Sequence, residues 1–339
     1  MKQYKGTKLY LVMACLLIAS MALASCSSTP TATQAPAAPA ATTAPAAPAA
    51  TTAPAAANIT IAYSGYATSN DYWNGLGKAA AAEAAAKGVK FVDLTTETQD
   101  AAAQKQAVDT EITAKPSAII IGSVDPTVWK DTLAAAKTAG IPVLAADTAI
   151  NDPYISALVQ TDNLVSAQNL GDYICKQLNG AKGTALVMAG SVGHQTGDAR
   201  QKGVADKLAA CGEKVIKQYS DWDENKGVQI ATDTITANPD LNVIFAPWGP
   251  GGAAVATVVK NKGLTSKVMV FSFDGLPVEF QAIKDGLEVA TMKQDNVRIG
   301  KESVDDAIAV VTGQTLANPS DLIPGVLIDK SNVDQYLTK

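Results

Sequence analysis

The stretch SAIIIGSVDPTVWKDTLAAAKTAGIPVLAADT, residues 117–148, decides the fold class of this chain. Ala118 to Ile121 is an unbroken apolar run. A strand with one face in water alternates polar and apolar residues, whereas a continuous run marks a parallel strand buried on both faces. Residues 126–139 then read as a helix closed by Gly140, and Ile141 to Ala145 as the next strand. Strand, crossover helix and strand make a βαβ unit, whose right-handed connection builds a doubly wound sheet. The same unit recurs outward in both directions. Toward the N-terminus lie a strand at 59–63, a helix at 72–87 closed by Gly88, a strand at 89–94 and a helix at 99–114. Toward the C-terminus a helix at 163–178 restarts the series. Strands at 184–188, 214–218, 242–246, 267–272, 288–292 and 326–328 follow, separated by helices at 198–210, 225–237, 251–262, 277–285 and 296–312. The expected class is α/β, with two doubly wound, Rossmann-like lobes.

Composition sets limits on function. The chain has 339 residues, 47% of them hydrophobic, which is ample for two cores. Its net charge of -5 leaves no basic footprint for phosphates, so no nucleic-acid partner is expected. One histidine cannot supply a multi-histidine metal site, and neither a metal nor a cofactor is expected. Neither Cys175 nor Cys211 belongs to a CxxC pair, which argues against zinc or thioredoxin-like chemistry. In an exported protein these two cysteines can pair; two buried thiols are the alternative.

The first residues carry an address. Lys2, Lys5 and Lys8 precede an apolar run from Leu9 to Leu23, the pattern of a secretory leader. Leu23-Ala24-Ser25-Cys26 resembles the bacterial lipoprotein signal, which implies cleavage after residue 25 and acylation of Cys26. Residues 26–57 consist almost wholly of Ala, Pro, Thr and Ser, with APAAPAATT repeated at 35–43 and 44–52. Repeated proline blocks helix and nothing there can form a core, so this segment is expected to be an extended tether. The expected location is extracytoplasmic, with a lipid anchor to the membrane.

In open α/β sheets, ligands bind outside the carboxyl ends of the strands. Those ends carry Asn70, Asp71, Tyr72 and Trp73 after the first strand and Asp147 after the fourth. In the second half they carry His194 and Arg200, then Trp222, Trp248 and Asp274, with Gln294 just beyond the strand at 288–292. Three of the four tryptophans stand at strand tips in a chain that is only 5% aromatic. Aromatic faces cover the C–H patches of a sugar, carboxylates accept from its hydroxyls, and Arg and Asn donate.

These residues give the chain its likeness. Asn70-Asp71-Tyr72-Trp73, Val124-Asp125-Pro126, Asp147, Thr161-Asp162-Asn163, Gly193-His194 with Arg200, Phe271-Ser272-Phe273-Asp274-Gly275 and Ala290-Thr291 through Gln294 resemble the bacterial periplasmic sugar-binding proteins of ABC importers, of the ribose and glucose/galactose type. The resemblance spans residues 58–339 and implies the type I periplasmic binding protein fold with three hinge crossovers. The N-terminal lobe would be 58–161 plus 295–322 and the C-terminal lobe 162–294 plus 323–339. It implies that Tyr72 and Trp222 sandwich a sugar ring, that Trp73 lines the same wall, and that Asn70, Asp147, Asp274 and Gln294 bind hydroxyls. The spacing of His194 and Arg200 matches the glucose/galactose member and points to an aldohexose. The chain departs from the pattern at Gly122, where the family has Asn, at Thr148, where ribose binders have Arg, and at Trp248, where Asn is common.

The expected function is capture of a monosaccharide by hinge closure and its delivery, by a monomer, to an ABC permease. A sensor that presents the bound sugar to a membrane receptor is the alternative. Asp147 and Asp274 could serve as a glycosidase-like pair, but no other catalytic motif supports an enzyme. A repressor of the same fold would need an N-terminal helix-turn-helix where the leader and tether stand.

Overall fold

The computed structural model describes residues 58–337; the leader, Cys26 and the tether lie outside the described residues. The first sheet is built from β1 (Thr60–Ser64), β2 (Lys90–Asp93), β3 (Ala118–Ile121), β4 (Val143–Ala146), β5 (Ile155–Thr161) and β11 (Ser320–Ile323). Its strand order is β11-β5-β4-β3-β1-β2, and each recorded pairing is parallel. All four residues of β3 are fully buried, as a central parallel strand requires.

The second sheet contains β6 (Thr184–Ala189), β7 (Lys214–Tyr219), β8 (Leu241–Phe245), β9 (Met269–Asp274), β10 (Ala290–Lys293) and β12 (Val326–Asp329). Its order, β12-β10-β9-β8-β6-β7, repeats the plan of the first, with β12 antiparallel at the edge. Two strands, β5 and β11, were not expected from the sequence; the third helix also begins later than read, at Lys130.

The helices sort by the sheet they cover. α1 (Asp71–Ala86) packs on α9 (Asn296–Val311), and α2 (Ala101–Ala114) on α3 (Lys130–Ala139). In the second lobe α4 (Asn163–Leu178) packs on α5 (Gln195–Ala210), and α6 (Glu224–Ala237) on α7 (Gly249–Asn261), which also meets α8 (Pro277–Lys284). Side chains at the tips start several helices. Asn70, Asp162, Asp223 and Asp295 each accept a backbone N–H of the following first turn.

The chain passes between the sheets three times: at Asp162, after Gln294, and between Ile323 and Val326. The crossings are stitched to one another. Asp162 N donates to Ile323 O at 2.8 Å, Thr161 Oγ1 to Gln294 Oε1 at 2.7 Å, and Gly325 N to Ser166 Oγ at 2.9 Å. Cys175 of α4 and Cys211 at the end of α5 form a disulfide, so the pairing left open by the sequence is made.

Candidate functional site

A cavity of about 330 Å³ lies where the strand tips of the two lobes meet. Asn70, Asp71, Tyr72, Trp73, Asp147, His194, Arg200, Trp222, Trp248, Asp274 and Gln294 all line it. The cap at Asn70 explains one group: its Oδ1 accepts from Tyr72 N and Trp73 N, which fixes both rings at the first turn of α1. Asn70 therefore has only its amide nitrogen left for a ligand.

The floor is a continuous hydrogen-bonded chain across the hinge. Gln294 accepts from Thr161 and donates to Asp274 Oδ1 at 2.7 Å. Asp274 also accepts from Arg200 Nη1 at 3.1 Å and from Gly249 N at 3.0 Å. Arg200 is held further by Asn163 Oδ1 and Pro247 O, and its guanidinium lies 3.9 Å from the centroid of Phe273. On the first lobe Tyr72 Oη donates to Asp147 Oδ1 at 2.5 Å and Thr148 Oγ1 to Oδ2 at 3.2 Å. Both oxygens of Asp147 and Oδ2 of Asp274 each keep a lone pair for a further donor, whereas Asp274 Oδ1 is filled by Arg200 and Gln294.

The walls are aromatic. Tyr66 stacks on Trp73 with centroids 5.5 Å apart, and Tyr72 meets Trp73 edge-on. Opposite, Trp222 stands edge-on to both His194 and Trp248. Each indole lies close to a glycine: Trp73 to Gly122, Trp222 to Gly190 and Trp248 to Gly251. At each of these glycines a β-carbon would fall within 2.3 Å of the ring.

Burial sets the charge state. It raises Asp147 and pushes Asp274 up to about 6, with Arg200 opposing both shifts. Burial, helped by the Arg200 charge, lowers His194 to about 4, so the imidazole is neutral at neutral pH. Several polar atoms of cavity residues are buried without a protein partner: Tyr66 Oη, both ring nitrogens of His194, Thr196 Oγ1, Arg200 Nη2 and Trp222 Nε1. Strain also collects here. Asp147, Asp221, Trp222 and Asp274 have φ of +64°, +56°, +60° and +127°, where a side chain is disfavoured.

Sequence reasoning missed Tyr66, Thr196, Leu276 and Val278 as cavity residues. Tyr66, an aromatic two residues past β1, was within reach of the strand-tip rule. The others stand in helix entries and look like ordinary capping or core positions.

The arrangement can hold a neutral, hydroxyl-rich molecule by its polar edges while aromatic rings cover its C–H faces. Among the described residues no group of three or more His, Cys, Asp or Glu could hold a metal. The ribose import binding protein of Escherichia coli (strain K12) is 29% identical over 263 residues, 76% of this chain and 86% of that protein. The D-allose-binding periplasmic protein of the same organism is 30% identical over 148 residues, 43% of this chain and 48% of that protein, so that match spans about half of the relative. Among solved structures, an ABC transporter solute binding protein from Burkholderia graminis, in complex with D-arabinose, superposes with a TM-score of 0.76. It is 27% identical, and the match covers 84% of this chain and 99% of that one. The periplasmic binding protein domain family matches residues 61–315, three quarters of the sequence, and the chain belongs to that family, in its two-lobed type I form.

Proposed function

We propose that the chain binds a monosaccharide in the cavity between its lobes and delivers it to the permease of an ABC transporter. The ligand put forward is an aldohexose such as glucose or galactose. The observation that carries this reading is the set of buried, unpartnered polar atoms on Tyr66, His194, Thr196, Arg200 and Trp222 in a cavity walled by indoles. Buried polar groups cost free energy unless bonded, and sugar hydroxyls and ring oxygens supply both donors and acceptors. The named ligands of the relatives, ribose, allose and arabinose, are of the same class. An aldohexose is favoured by the neutral His194 six residues before Arg200.

Closure of the lobes about the three crossings traps the ligand, and the closed form is the one the permease accepts. The protein acts as a monomer, held outside the cell by acyl chains on Cys26 and the tether at 26–57. Thermal shifts with glucose, galactose, allose, ribose and arabinose test the binding reading. A ligand of the folded state raises the melting temperature by mass action. If no sugar of the panel does so at millimolar concentration, the monosaccharide reading fails. Fatty-acid labelling that survives Cys26→Ser removes the anchor from it.

A further inference from the structure

Beside the ligand cavity the second lobe buries two glutamates against one serine. Glu279, in the first turn of α8, is 0% exposed, and Glu288, just before β10, is 2% exposed. Among the described residues neither forms an ion pair with a Lys, Arg or His. The Oγ of Ser272, on β9, lies 2.6 Å from Glu279 Oε1 and 2.6 Å from Glu288 Oε2.

A serine hydroxyl has a single proton. It donates to one carboxyl group, so the other must donate to it, and only an un-ionised carboxylic acid can. The remaining partners decide which. Glu279 Oε2 accepts from Leu276 N at 2.6 Å, and Oε1 accepts from the hydroxyl of Thr291 on β10. Its surroundings are donors, as a carboxylate requires. Glu288 has no donor beyond Ser272, and its Oε1 is buried without a partner. A neutral carbonyl oxygen bears that isolation at less cost than a carboxylate oxygen.

We infer that Glu288 is held as the neutral acid and Glu279 as the carboxylate, joined through Ser272 in one directed chain that positions the Asp274–Leu276 turn of the ligand cavity. The Glu288 O–H donates to Ser272, whose own proton goes to Glu279; Glu279 fixes the Leu276 N–H, and Leu276 lines the cavity. The charged group facing Glu279 is Asp274, itself bonded to Arg200, and the one facing Glu288 is Glu279. Burial raises both glutamates above their usual range; the Asp274 charge adds to the effect on Glu279, and the Glu279 charge to that on Glu288. The proton assignment stands without any ligand. Only its consequence for binding rests on the sugar reading.

The test is unfolding of wild type, Glu288→Gln and Glu279→Gln from about pH 6 to about pH 9, with amide exchange across 274–280. The folded protein keeps a proton that unfolded glutamate has lost. Its stability is therefore fully present at low pH and is lost as pH rises through the folded pKa. One retained proton makes the unfolding constant climb about tenfold per pH unit. In Glu288→Gln the amide N–H donates to Ser272 as the acid did, so the fold persists and about one tenfold-per-unit component of the slope disappears. Glu279→Gln sets an amide donor against donors; it lowers the melting temperature at every pH and speeds exchange at Leu276. A wild-type slope in Glu288→Gln overturns the inference, as does greater damage from that variant than from Glu279→Gln. Should Glu279→Gln fail to fold, the Glu288→Gln slope decides alone, supported by loss of the carboxylic-acid carbonyl stretch in its infrared spectrum.

Discussion

The indole of Trp73 fills the space above Gly122: a β-carbon at residue 122 would lie 2.3 Å from Cζ3. An aromatic wall and a bare strand tip are thus one structural choice, and a polar side chain at the end of β3 is incompatible with it. The Gly122→Asn variant is expected to displace the ring and lose about 1–3 kcal/mol through overpacking. Adding Trp73→Ala should return much of that loss by vacating the space, a non-additivity that denaturant unfolding of the two single variants and the double variant measures. Strict additivity would rule out the clash.

Trp222 occupies a disfavoured backbone region, at φ +60°, with its ring against Gly190 and its Nε1 without a partner. Structure held in a strained conformation with an unsatisfied donor points to a ligand contact. Trp222→Ala should weaken sugar binding more than tenfold, above about 1.4 kcal/mol, with the far-ultraviolet circular dichroism unchanged. Asp274→Ala should do the same, since it removes the acceptor on which Arg200 and Gln294 converge. Calorimetric titration checks both, and wild-type affinity in the two variants together would dismantle the site assignment.

What the sequence disclosed depended on how local the signal was. The apolar run at β3 shows its double-sided burial directly. β5, ISALVQT, alternates buried and half-buried residues, and β11, SDLI, is a polar edge strand; neither resembles the central strands. The cavity residues were legible because parallel strands bring their tips to one edge. Their hydrogen-bonded floor was not, because Arg200, Asp274 and Gln294 come from separate elements of the second lobe and Thr161 joins them only at a hinge crossing. Nor does spacing separate Glu279 and Glu288 from surface acids, since their burial depends on Ser272 and Thr291 from neighbouring strands.

Cys175 and Cys211 are 36 residues apart and tie α4 to α5. Closing a loop of that length lowers the entropy of the unfolded chain, which the chain-entropy relation puts at about 4 kcal/mol of stability as an upper figure. The Cys175→Ser/Cys211→Ser variant is expected to melt several degrees lower. Neither cysteine lines the ligand cavity, so its sugar affinity should match wild type. A melting temperature unaffected by both the double substitution and added reductant would show that the bridge contributes nothing to stability.

His194 couples stability to acidity. Its folded pKa of about 4 lies below the ordinary 6.5 because of burial, reinforced by Arg200. The unfolded chain therefore takes up a proton below about pH 6.5 that the folded chain refuses until about pH 4. Stability falls as pH drops through that window, by at most about 3 kcal/mol. Asp147 and Asp274 act in the opposite sense: their raised pKa values make the folded protein the better proton acceptor as pH falls. The wild-type profile combines these slopes, so the informative quantity is its difference from His194→Gln. That variant has no imidazole to protonate and should gain steadily on wild type as pH is lowered from about 7 to 4. Unfolding curves that remain parallel over the range would mean that the imidazole takes up its proton as readily in the folded protein as in the unfolded chain.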